Sequence, residues 1–472
     1  MIRAGENVRA GLVRAASRIL LHDTAGASRR GQQLADNVDR LAGALVAHGC
    51  AGKRIGLWYQ NSCAAVESFL AVEWIAGTRV PVDPGAPAAE AKAIFLAAGV
   101  DAVLTESSRA GELQGRVFVH EEANPLRGDL RPPAVDVDDE HCCLLYPRAV
   151  TDGQLFAIPV SYANWRATME LNIALYQTGR YGPWLGQDEC FLSAQNIMHG
   201  TGFVGTFPFL EMGLPQVLLG SFDATSALAA MQQFQVTATV LVGPMLSRLT
   251  HAALGKPEAA ASLRHVMYGG GVVSAGEIRR SMQTLGPVLV QGYGRIEGGW
   301  PLTILDLEDH QQIAAGNDEL ALSCGRPIEC VSLKLRSISG STPGVGELCV
   351  SSGMTVKEYS TPDGWCSLGD LARVDESGRV FYQGRLDRMI NTGYHIYPDE
   401  VEEAIRRVPG IRDVRVVGES KGSVENMVAY LVAVNGTPHS ELANNVRNEL
   451  AIRLARYKIP SQFRFVESLA EN

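Results

Sequence analysis

The sequence predicts an α/β protein with a large N-terminal domain of helix-covered sheets and a small α+β domain at the C-terminus. Its 472 residues exceed what one hydrophobic core usually supports, which predicts more than one domain. Over roughly the first 330 residues, short apolar strands alternate with amphipathic helices, a pattern typical of sheets covered by helices. Beyond them, short strands separated by Gly and Pro turns predict a β-rich subdomain.

The individual segments support this assignment in chain order. Residues 32–49 carry apolar side chains at helical spacing, and residues 56–62 and 78–84 are short apolar strands that end in turns. Residues 330–384 form the predicted β-rich subdomain. The small domain is predicted to contain a helix, two strands and a last helix, at residues 399–408, 414–420, 427–434 and 441–457. The predicted domains are residues 1–384 and 385–472.

Composition excludes several classes of partner. With a formal charge of −9 and a pI near 5.7, the chain lacks the dense cationic surface that nucleic acid or an anionic membrane favours. No apolar run approaches the roughly 20 residues needed to cross a bilayer, and the N-terminus lacks the apolar block of a signal peptide. The nine cysteines lack the spacing of a metal site. We therefore predict a cytoplasmic protein without a resident metal, whose partners are small molecules or proteins.

Three segments carry the most specific pattern. Residues 383–405 (QGRLDRMINTGYHIYPDEVEEAI) resemble the hinge motif of adenylate-forming enzymes, Gly-Arg-x-Asp followed by Gly-x-x-Ile-x-Pro-x-Glu. Residues 292–297 (GYGRIE) resemble that family's Gly-Tyr-Gly-x-Thr-Glu segment, and residues 364–370 (GWCSLGD) resemble its Gly-Trp-x-x-Thr-Gly-Asp segment. Further matches follow in order over almost the whole chain. The sequence is therefore similar to the superfamily of acyl-CoA synthetases, adenylation domains and luciferase-like enzymes.

The resemblance implies roles at a hinge and a nucleotide site. Asp387 would be the pivot about which the small domain rotates, and Gly393 would line the tunnel for a thiol. The residues implied to hold a nucleotide or the tail of CoA are Tyr293, Glu297, Asp370, Arg385 and Tyr394. In the family the tyrosine stacks on adenine, the glutamate holds magnesium and the aspartate binds ribose hydroxyls. Structural roles remain open as well: a core aromatic for Tyr293, a hydrogen-bonding carboxylate for Glu297 and an interdomain ion pair for Arg385.

Two further segments, residues 196–213 and 268–278, resemble the parts of the family that form the acyl pocket. His199 resembles the pocket histidine, which would orient a thioester carbonyl or help a thiol lose its proton. A pocket histidine without proton chemistry is the alternative. The glycine run at residues 269–271 would let a flat acyl group lie against the backbone, or it forms a tight turn. The predicted pocket residues, which suggest an aromatic acyl group, are Asn196, His199, Gly269, Gly270, Gly271, Gly292 and Trp300.

The phosphate loop departs from the family pattern. Where ATP-using members carry Tyr-Thr-Ser-Gly-Thr-Thr-Gly-x-Pro-Lys-Gly, this chain has YPRAVTDGQLFA at residues 146–157. Phe156 falls at the position of the lysine, and Asp152 adds a negative charge. Ile296 replaces a threonine, and the family's later Gly-Lys has no counterpart before Asn472. The predicted degenerate phosphate loop comprises Tyr146, Thr151, Asp152, Gly153 and Phe156.

These departures favour an ATP-independent acyltransferase of secondary metabolism. It would move an acyl group from a coenzyme A thioester to the phosphopantetheine of an acyl carrier protein, without ATP or magnesium, because thioester exchange is close to energy-neutral. One alternative is an ATP-dependent acyl- or aryl-CoA ligase, or an acid–carrier-protein ligase, in which Arg148 or Lys458 replaces the lost cations. The other is a non-catalytic binding homologue, against which the retained His199 and Asp387 argue.

Overall fold

The structure is a computed structural model with mixed helices and strands. It describes residues 2–119, 135–151, 153–179, 182, 186, 188–271, 273–338, 344–386, 389–421, 424–434 and 438–469. Within these residues the α-helices are α1 Glu6–Arg14, α2 Gly31–Ala47, α3 Cys63–Trp74, α4 Ala88–Ala97, α5 Ser107–Ala110, α6 Tyr162–Thr178, α7 Gly200–Met212, α8 Ala224–Phe234, α9 Gly243–Ala253, α10 Ala275–Leu285, α11 Leu307–Ala314, α12 Pro398–Arg406 and α13 His439–Arg453. Short 3₁₀ turns cover Pro257–Ala260, Asp318–Leu322, Lys357–Tyr359 and Arg456–Lys458.

The strands alternate with the helices along most of the chain. They are β1 Ile2–Arg3, β2 Ile19–Asp23, β3 Ser28–Arg30, β4 Arg54–Trp58, β5 Thr78–Pro81, β6 Ala102–Thr105, β7 Val117–Val119, β8 Asp136–Val137, β9 Cys142–Thr151, β10 Gln154–Ser161, β11 Phe191–Ser193, β12 Gln216–Leu218, β13 Ala238–Val242, β14 His265–Gly269, β15 Leu289–Arg295, β16 Gly299–Leu305, β17 Arg326–Pro327, β18 Ser332–Arg336, β19 Val345–Ser351, β20 Cys366–Val374, β21 Val380–Arg385, β22 Ile390–Asn391, β23 His395–Ile396, β24 Ile411–Lys421, β25 Val424–Ala433 and β26 Gln462–Phe465.

Two large sheets form the N-terminal part of the molecule. One has the order β10-β9-β5-β4-β6-β7 and the other the order β17-β16-β15-β14-β13-β11-β12-β2-β3. Their central strands run parallel, and antiparallel strands lie towards the edges. A central strand such as β13 (ATVLV) is buried at every position, as expected for a parallel strand covered on both faces. The helix-covered sheets match the predicted fold class.

Helices α3 and α7 lie at the centre of the large core. Nearly every residue of each helix is buried, so each is enclosed by protein on all sides. In α7, Phe207 and Phe209 contact aromatic rings of neighbouring elements, with Phe69 and Phe207 stacked at 4.6 Å. The buried α7 therefore fixes the position of the residue that precedes it, His199.

Three sheets complete the fold after residue 330. The antiparallel sheet β18-β19-β20-β21 lies where the β-rich subdomain is predicted. The small ribbon β22-β23 and the sheet β24-β25-β26 follow, with α12 and α13 packed against them around a separate hydrophobic core. The predicted last helix, 441–457, ends early at Arg453, because the chain turns there and the Ala455 N–H donates to Glu90 of the large domain at 2.5 Å.

A buried ion cluster joins the small domain to the large one. Lys458 Nζ lies 2.5 Å from Glu90 Oε1 on α4 and 2.9 Å from Glu400 Oε2 on α12. The other oxygen of Glu400 accepts the Val150 N–H of β9 at 3.2 Å. All three charged side chains are about 5% exposed or less, so the cluster fixes the small domain against β9 and α4.

No helix in the described part of the chain is both long enough and apolar enough to cross a membrane.

Candidate active site

A cavity of about 1200 Å³, counted with its open mouth, lies where the large domain meets the small one. The apolar part of its wall includes Val160, Trp165, Phe203, Val204, Trp300 and Met354. The polar part includes Tyr146, Arg148, Asn164, Gln195, His199, Thr201 and Arg295. The small domain contributes Gly393, Tyr394 and Tyr457. An apolar chamber with a few polar groups is the usual form of a site for a small organic molecule.

The structure brings together part of the predicted set of site residues. The cavity lining contains His199, Gly270, Trp300, Gly393, Tyr394 and Tyr146. The other predicted residues that the structure describes lie outside this lining: Asn196, Gly269, Gly271, Gly292, Tyr293, Glu297, Asp370, Arg385, Thr151, Gly153 and Phe156. Asp152 and the hinge residue Asp387 lie outside the described residues. The roles of all these residues stay predictions.

Two of the predicted glycines allow backbone and ring to approach closely behind the cavity. A Cβ on Gly269 would lie 2.5 Å from the carbonyl oxygen of Gly292, and a Cβ on Gly292 would lie 3.0 Å from the ring of Trp300. Gly270 has a φ of +79°, a left-handed conformation that suits glycine. These glycines therefore place the Trp300 ring against the sheet, where it forms one wall.

His199 contacts a carboxylate that the sequence did not reveal. It precedes α7, and its Nε2 contacts the carboxylate of Asp83, which follows β5. A second oxygen of Asp83 accepts the Gly85 N–H at 2.5 Å. Burial raises the pKa of Asp83, but the imidazole of His199 and the Gly85 N–H outweigh burial and lower the pKa below its usual value. Asp83 is therefore a carboxylate that orients the ring of His199.

Two tyrosines of the small domain face this pair. The ring of Tyr394 lies 5.5 Å from that of His199, and the ring of Tyr457 lies 6.3 Å from it. The two tyrosine rings stack on each other at 4.4 Å. Burial raises the pKa of Tyr394 to about 12, so its phenol stays protonated at neutral pH. The small domain thus closes the cavity beside His199, the only histidine among the described residues that line it.

Asp370 is held by three groups of the two sheets. Tyr293 donates its hydroxyl to Asp370 Oδ2 at 2.5 Å, and Arg385 Nη1 donates to Asp370 Oδ1 at 2.5 Å. Arg295 Nη1 lies 3.8 Å from the same Oδ1. Both oxygens of Asp370 thus accept hydrogen bonds from the protein. A ribose hydroxyl would have to displace one of these donors to bind Asp370.

Glu297 is enclosed by two arginines. Arg148 Nη2 donates to both of its oxygens, at 2.8 and 2.9 Å, and Arg295 Nη2 donates to Oε1 at 3.3 Å. Burial raises the pKa of Glu297, but the two guanidinium groups outweigh burial and lower it well below the usual value. The described residues contain no group of three His, Cys, Asp or Glu side chains that would hold a metal. Glu297 is bound to protein donors here, and its role as a magnesium ligand, which the resemblance implies, stays a prediction.

The segment aligned with the phosphate loop is a β-hairpin. Strands β9 and β10 pair in antiparallel register from Thr151 and Gln154 back to Cys142 and Ser161. Among the residues that the structure describes, the hairpin reaches the cavity only through Tyr146, Pro147, Arg148 and Val160. Phe156 is 52% exposed and lies outside the cavity. The segment is thus a pair of bonded strands with a register shift after Phe156, and its Val150 N–H donates to Glu400.

Family models match both parts of the chain. The AMP-binding enzyme model matches residues 14–360, and the model of the AMP-binding enzyme C-terminal domain matches residues 400–472. The chain belongs to the AMP-binding enzyme family. Membership confirms the predicted resemblance to adenylate-forming enzymes.

Named relatives of this AMP-binding enzyme are acid ligases. The medium/long-chain-fatty-acid–CoA ligase of Mycobacterium tuberculosis is 30% identical over 56% of this chain and 46% of that protein. The 2-succinylbenzoate–CoA ligase of Bacillus licheniformis is 28% identical over 72% of this chain and 70% of that protein. The fatty acid–[acyl-carrier-protein] ligase of Streptomyces coeruleorubidus is 29% identical over 55% of this chain and 52% of that protein. The match thus spans about half the length of the first and third of these relatives.

Solved structures confirm the fold of this AMP-binding enzyme. The o-succinylbenzoate CoA synthetase of Bacillus subtilis, in complex with its acyl-adenylate intermediate, aligns with a TM-score of 0.71. The alignment covers 100% of this chain and 96% of that one at 22% identity. The predicted α/β class, with a large N-terminal and a small C-terminal domain, is thereby confirmed.

The relatives correct the predicted activity. An ATP-independent acyltransferase, with ATP and magnesium not required, was the favoured prediction from sequence, and it is wrong: two of these relatives are CoA ligases, the third is a carrier-protein ligase, and the aligned synthetase was solved with its acyl-adenylate intermediate. The prediction weighed the lost hydroxyls and lysine of the phosphate loop, but it missed that Arg295 enters the cavity beside Arg148. The alternative of an ATP-dependent ligase agrees with the relatives.

Proposed function

We propose that this protein is an ATP-dependent acid–thiol ligase that forms an acyl-adenylate and then a thioester. The carboxylate of the acid attacks the α-phosphorus of ATP and pyrophosphate leaves. A thiol then attacks the acyl carbon, AMP leaves, and the thiol proton passes to a base. One observation carries the proposal: a single cavity joins the His199–Asp83 pair, two buried arginines and the tyrosines of the small domain.

On this proposal, the acid substrate has a largely apolar body. The rings of Trp165, Phe203 and Trp300 form much of the wall, and none of these side chains carries a charge to pair with a second ionic group on the substrate. The flat wall formed by Trp300 over Gly292 suits an aromatic or cyclic acid. The relatives' names include both fatty and aryl acids, so the panel of acids in a test must contain both.

His199 would accept the thiol proton in the second step. Its Nε2 contacts Asp83, and the negative charge of Asp83 stabilises the imidazolium that forms. Tyr394 and Tyr457 from the small domain border the same space, where a pantetheine arm would enter. We propose coenzyme A as the acceptor, and the carrier-protein ligase among the relatives makes a carrier-protein thiol the second acceptor to test.

Domain rotation would accompany the two steps. We propose that residues 1–384 bind the acid and nucleotide and that residues 385–472 turn about a hinge at Asp387. The rotation requires the Lys458 cluster with Glu90 and Glu400 to separate. We also propose a cytoplasmic location, which the nine free cysteines of the chain support.

The deciding experiment supplies a panel of fatty and aryl acids with MgATP and CoA, and measures acyl-CoA and AMP by mass spectrometry. Parallel reactions replace CoA with a phosphopantetheinylated carrier protein or omit ATP. We expect thioester and AMP in equal amounts, only with ATP, and loss of the thioester in His199→Ala. The control is His251→Ala, an exposed histidine on α9. Product without ATP, or an active His199→Ala, would contradict the proposal.

A further inference from the structure

One polar side chain in the wall of the cavity has a donor group without a partner. Gln195 lines the cavity and is 3% exposed, and its Nε2 is buried with no hydrogen-bond partner among the residues that the structure describes. A buried N–H that makes no hydrogen bond lowers the stability of a protein, so such groups are uncommon and call for an explanation. A ligand in the cavity would supply the partner that the Gln195 amide lacks.

Other polar side chains of the wall are bound to the protein itself. Asn164 Nδ2 donates to the carbonyl oxygen of Thr355 at 2.9 Å, and the Thr168 hydroxyl donates to the carbonyl oxygen of Asn164 at 2.8 Å. His199 contacts a carboxylate through its Nε2. These three side chains are oriented by protein partners, whereas the Gln195 amide nitrogen has none in the part of the chain that the structure describes.

The backbone that carries this amide is held in place. Asn61, which is buried, donates its Nδ2 to the carbonyl oxygen of Gln195 at 2.8 Å, and its Oδ1 accepts the Ile197 N–H at 2.9 Å. The Ser193 hydroxyl donates to the same carbonyl oxygen of Gln195 at 3.3 Å. Gln195 therefore extends from a fixed connection between β11 and α7, which preorganises its side chain for binding.

The chemistry of the wall selects the kind of group that Gln195 would bind. Trp165, Phe203 and Val204 give the cavity apolar surfaces, and the amide carries no charge that would compensate an ionised group on the body of the acid. A hydroxyl is neutral, and it both donates and accepts a hydrogen bond. A half-turn of the amide exchanges its nitrogen and oxygen in nearly the same space, so a hydroxyl can bond to Gln195 in either orientation.

We propose that Gln195 binds a hydroxyl group on the acid substrate and that the enzyme prefers hydroxylated aromatic or cyclic acids. This inference rests on the proposed ligase function and names the substrate class of the same cavity. The carboxylate of the acid reacts with ATP, while the hydroxyl bonds to Gln195 and fixes the orientation of the body among the apolar side chains. An acid without the hydroxyl leaves the Gln195 amide buried without a partner, and a site that hydrogen-bonds a substrate hydroxyl discriminates strongly against such an analogue.

The test measures kcat/KM for thioester formation by the full chain, with MgATP and CoA, on pairs of acids that differ by one hydroxyl. The pairs are benzoate with its 2-, 3- and 4-hydroxy derivatives, and cyclohexanecarboxylate with its hydroxylated counterparts. We expect the wild type to favour one hydroxylated acid over its parent by about 10-fold or more. Gln195→Leu should lower kcat/KM for that acid by about 10-fold or more, because one hydrogen bond is lost, and should leave the parent acid unchanged.

Two further variants separate recognition from folding. Gln195→Met keeps the length of the side chain without its amide and should show the same selective loss. The matched control is Gln233→Leu, an exposed glutamine on α8, which should leave all the acids unaffected. Equal loss on both members of a pair, no loss in either Gln195 variant, or a wild type that makes thioesters without preferring a hydroxylated acid would overturn this inference and leave the ligase function intact. A wild type that forms neither thioester nor AMP from any acid would overturn both proposals.

Discussion

Replacing Lys458 with methionine should loosen the small domain from the large one. The change leaves the carboxylates of Glu90 and Glu400 buried without their cation, and both side chains are 5% exposed. Removing one partner of a buried ion pair costs about 3–5 kcal/mol. A cost of that size shifts a docking equilibrium by about 100-fold or more.

Hydrogen exchange measured by mass spectrometry reports this equilibrium directly. The N–H of Ala455 donates to Glu90 and the N–H of Val150 donates to Glu400, so peptides containing these two amides should exchange faster in Lys458→Met. Burial raises the pKa of Glu90 against the attraction of Lys458. Protonation of Glu90 then relieves the unpaired charge at low pH, and the effect of the variant should become smaller as the pH is lowered.

A surface lysine provides the control for this experiment. Lys357→Met removes a cation whose side chain is 80% exposed and should leave both peptides unchanged. Adding Glu90→Gln and Glu400→Gln to Lys458→Met should restore slow exchange in part, because no buried charge remains. Wild-type exchange in Lys458→Met would refute the view that this cluster holds the small domain in place.

Three other changes test separate features. Asp83→Asn should slow thioester formation from a preformed acyl-adenylate by about 100-fold, measured in single turnovers, and leave adenylate formation intact; equal slowing of both steps would contradict an orienting role. Burial raises the pKa of Glu211 to about 8 from 4.5, so the folded protein retains a proton that the unfolded chain releases, and stability should fall as pH rises between these values. Glu211→Gln should remove that fall in urea unfolding between pH 5 and pH 9, and an unchanged pH dependence would contradict the assignment. Gly292→Ala should lower the free energy of unfolding by about 1–3 kcal/mol, because its Cβ would lie 3.0 Å from Trp300; an unchanged urea midpoint would show that the ring gives way freely.

The sequence predicted the fold well because the informative residues are close together in the chain. The hinge motif contains the start of α12, and the alternation of apolar residues marked the strands and helices of the large sheets. The contact of His199 with Asp83 was not predicted, because the two residues lie far apart in sequence, one just before α7 and the other just after β5. A carboxylate directly after an apolar strand was the available signal.

The sequence of residues 142–161 contained a signal for a hairpin, but comparison with the family's phosphate loop obscured it. The Asp-Gly dipeptide at 152–153, between two apolar runs, favours a tight turn between paired strands. Aligning the segment with a phosphate-binding loop emphasised the missing lysine instead. Arg295 was likewise treated as a variable position of its motif, and only the register of β15 shows that it enters the cavity next to Arg148.

The stacked tyrosines have a consequence for the pace of turnover. Tyr394 and Tyr457 belong to the same small domain that Lys458 anchors, so the wall of the cavity and its anchor separate together. On the proposed function, a bulky thioester would leave only when that domain lifts. The closed state would last until Lys458 separates from the carboxylates of Glu90 and Glu400. The rate of that separation would then limit the turnover number, even if the chemical steps were faster.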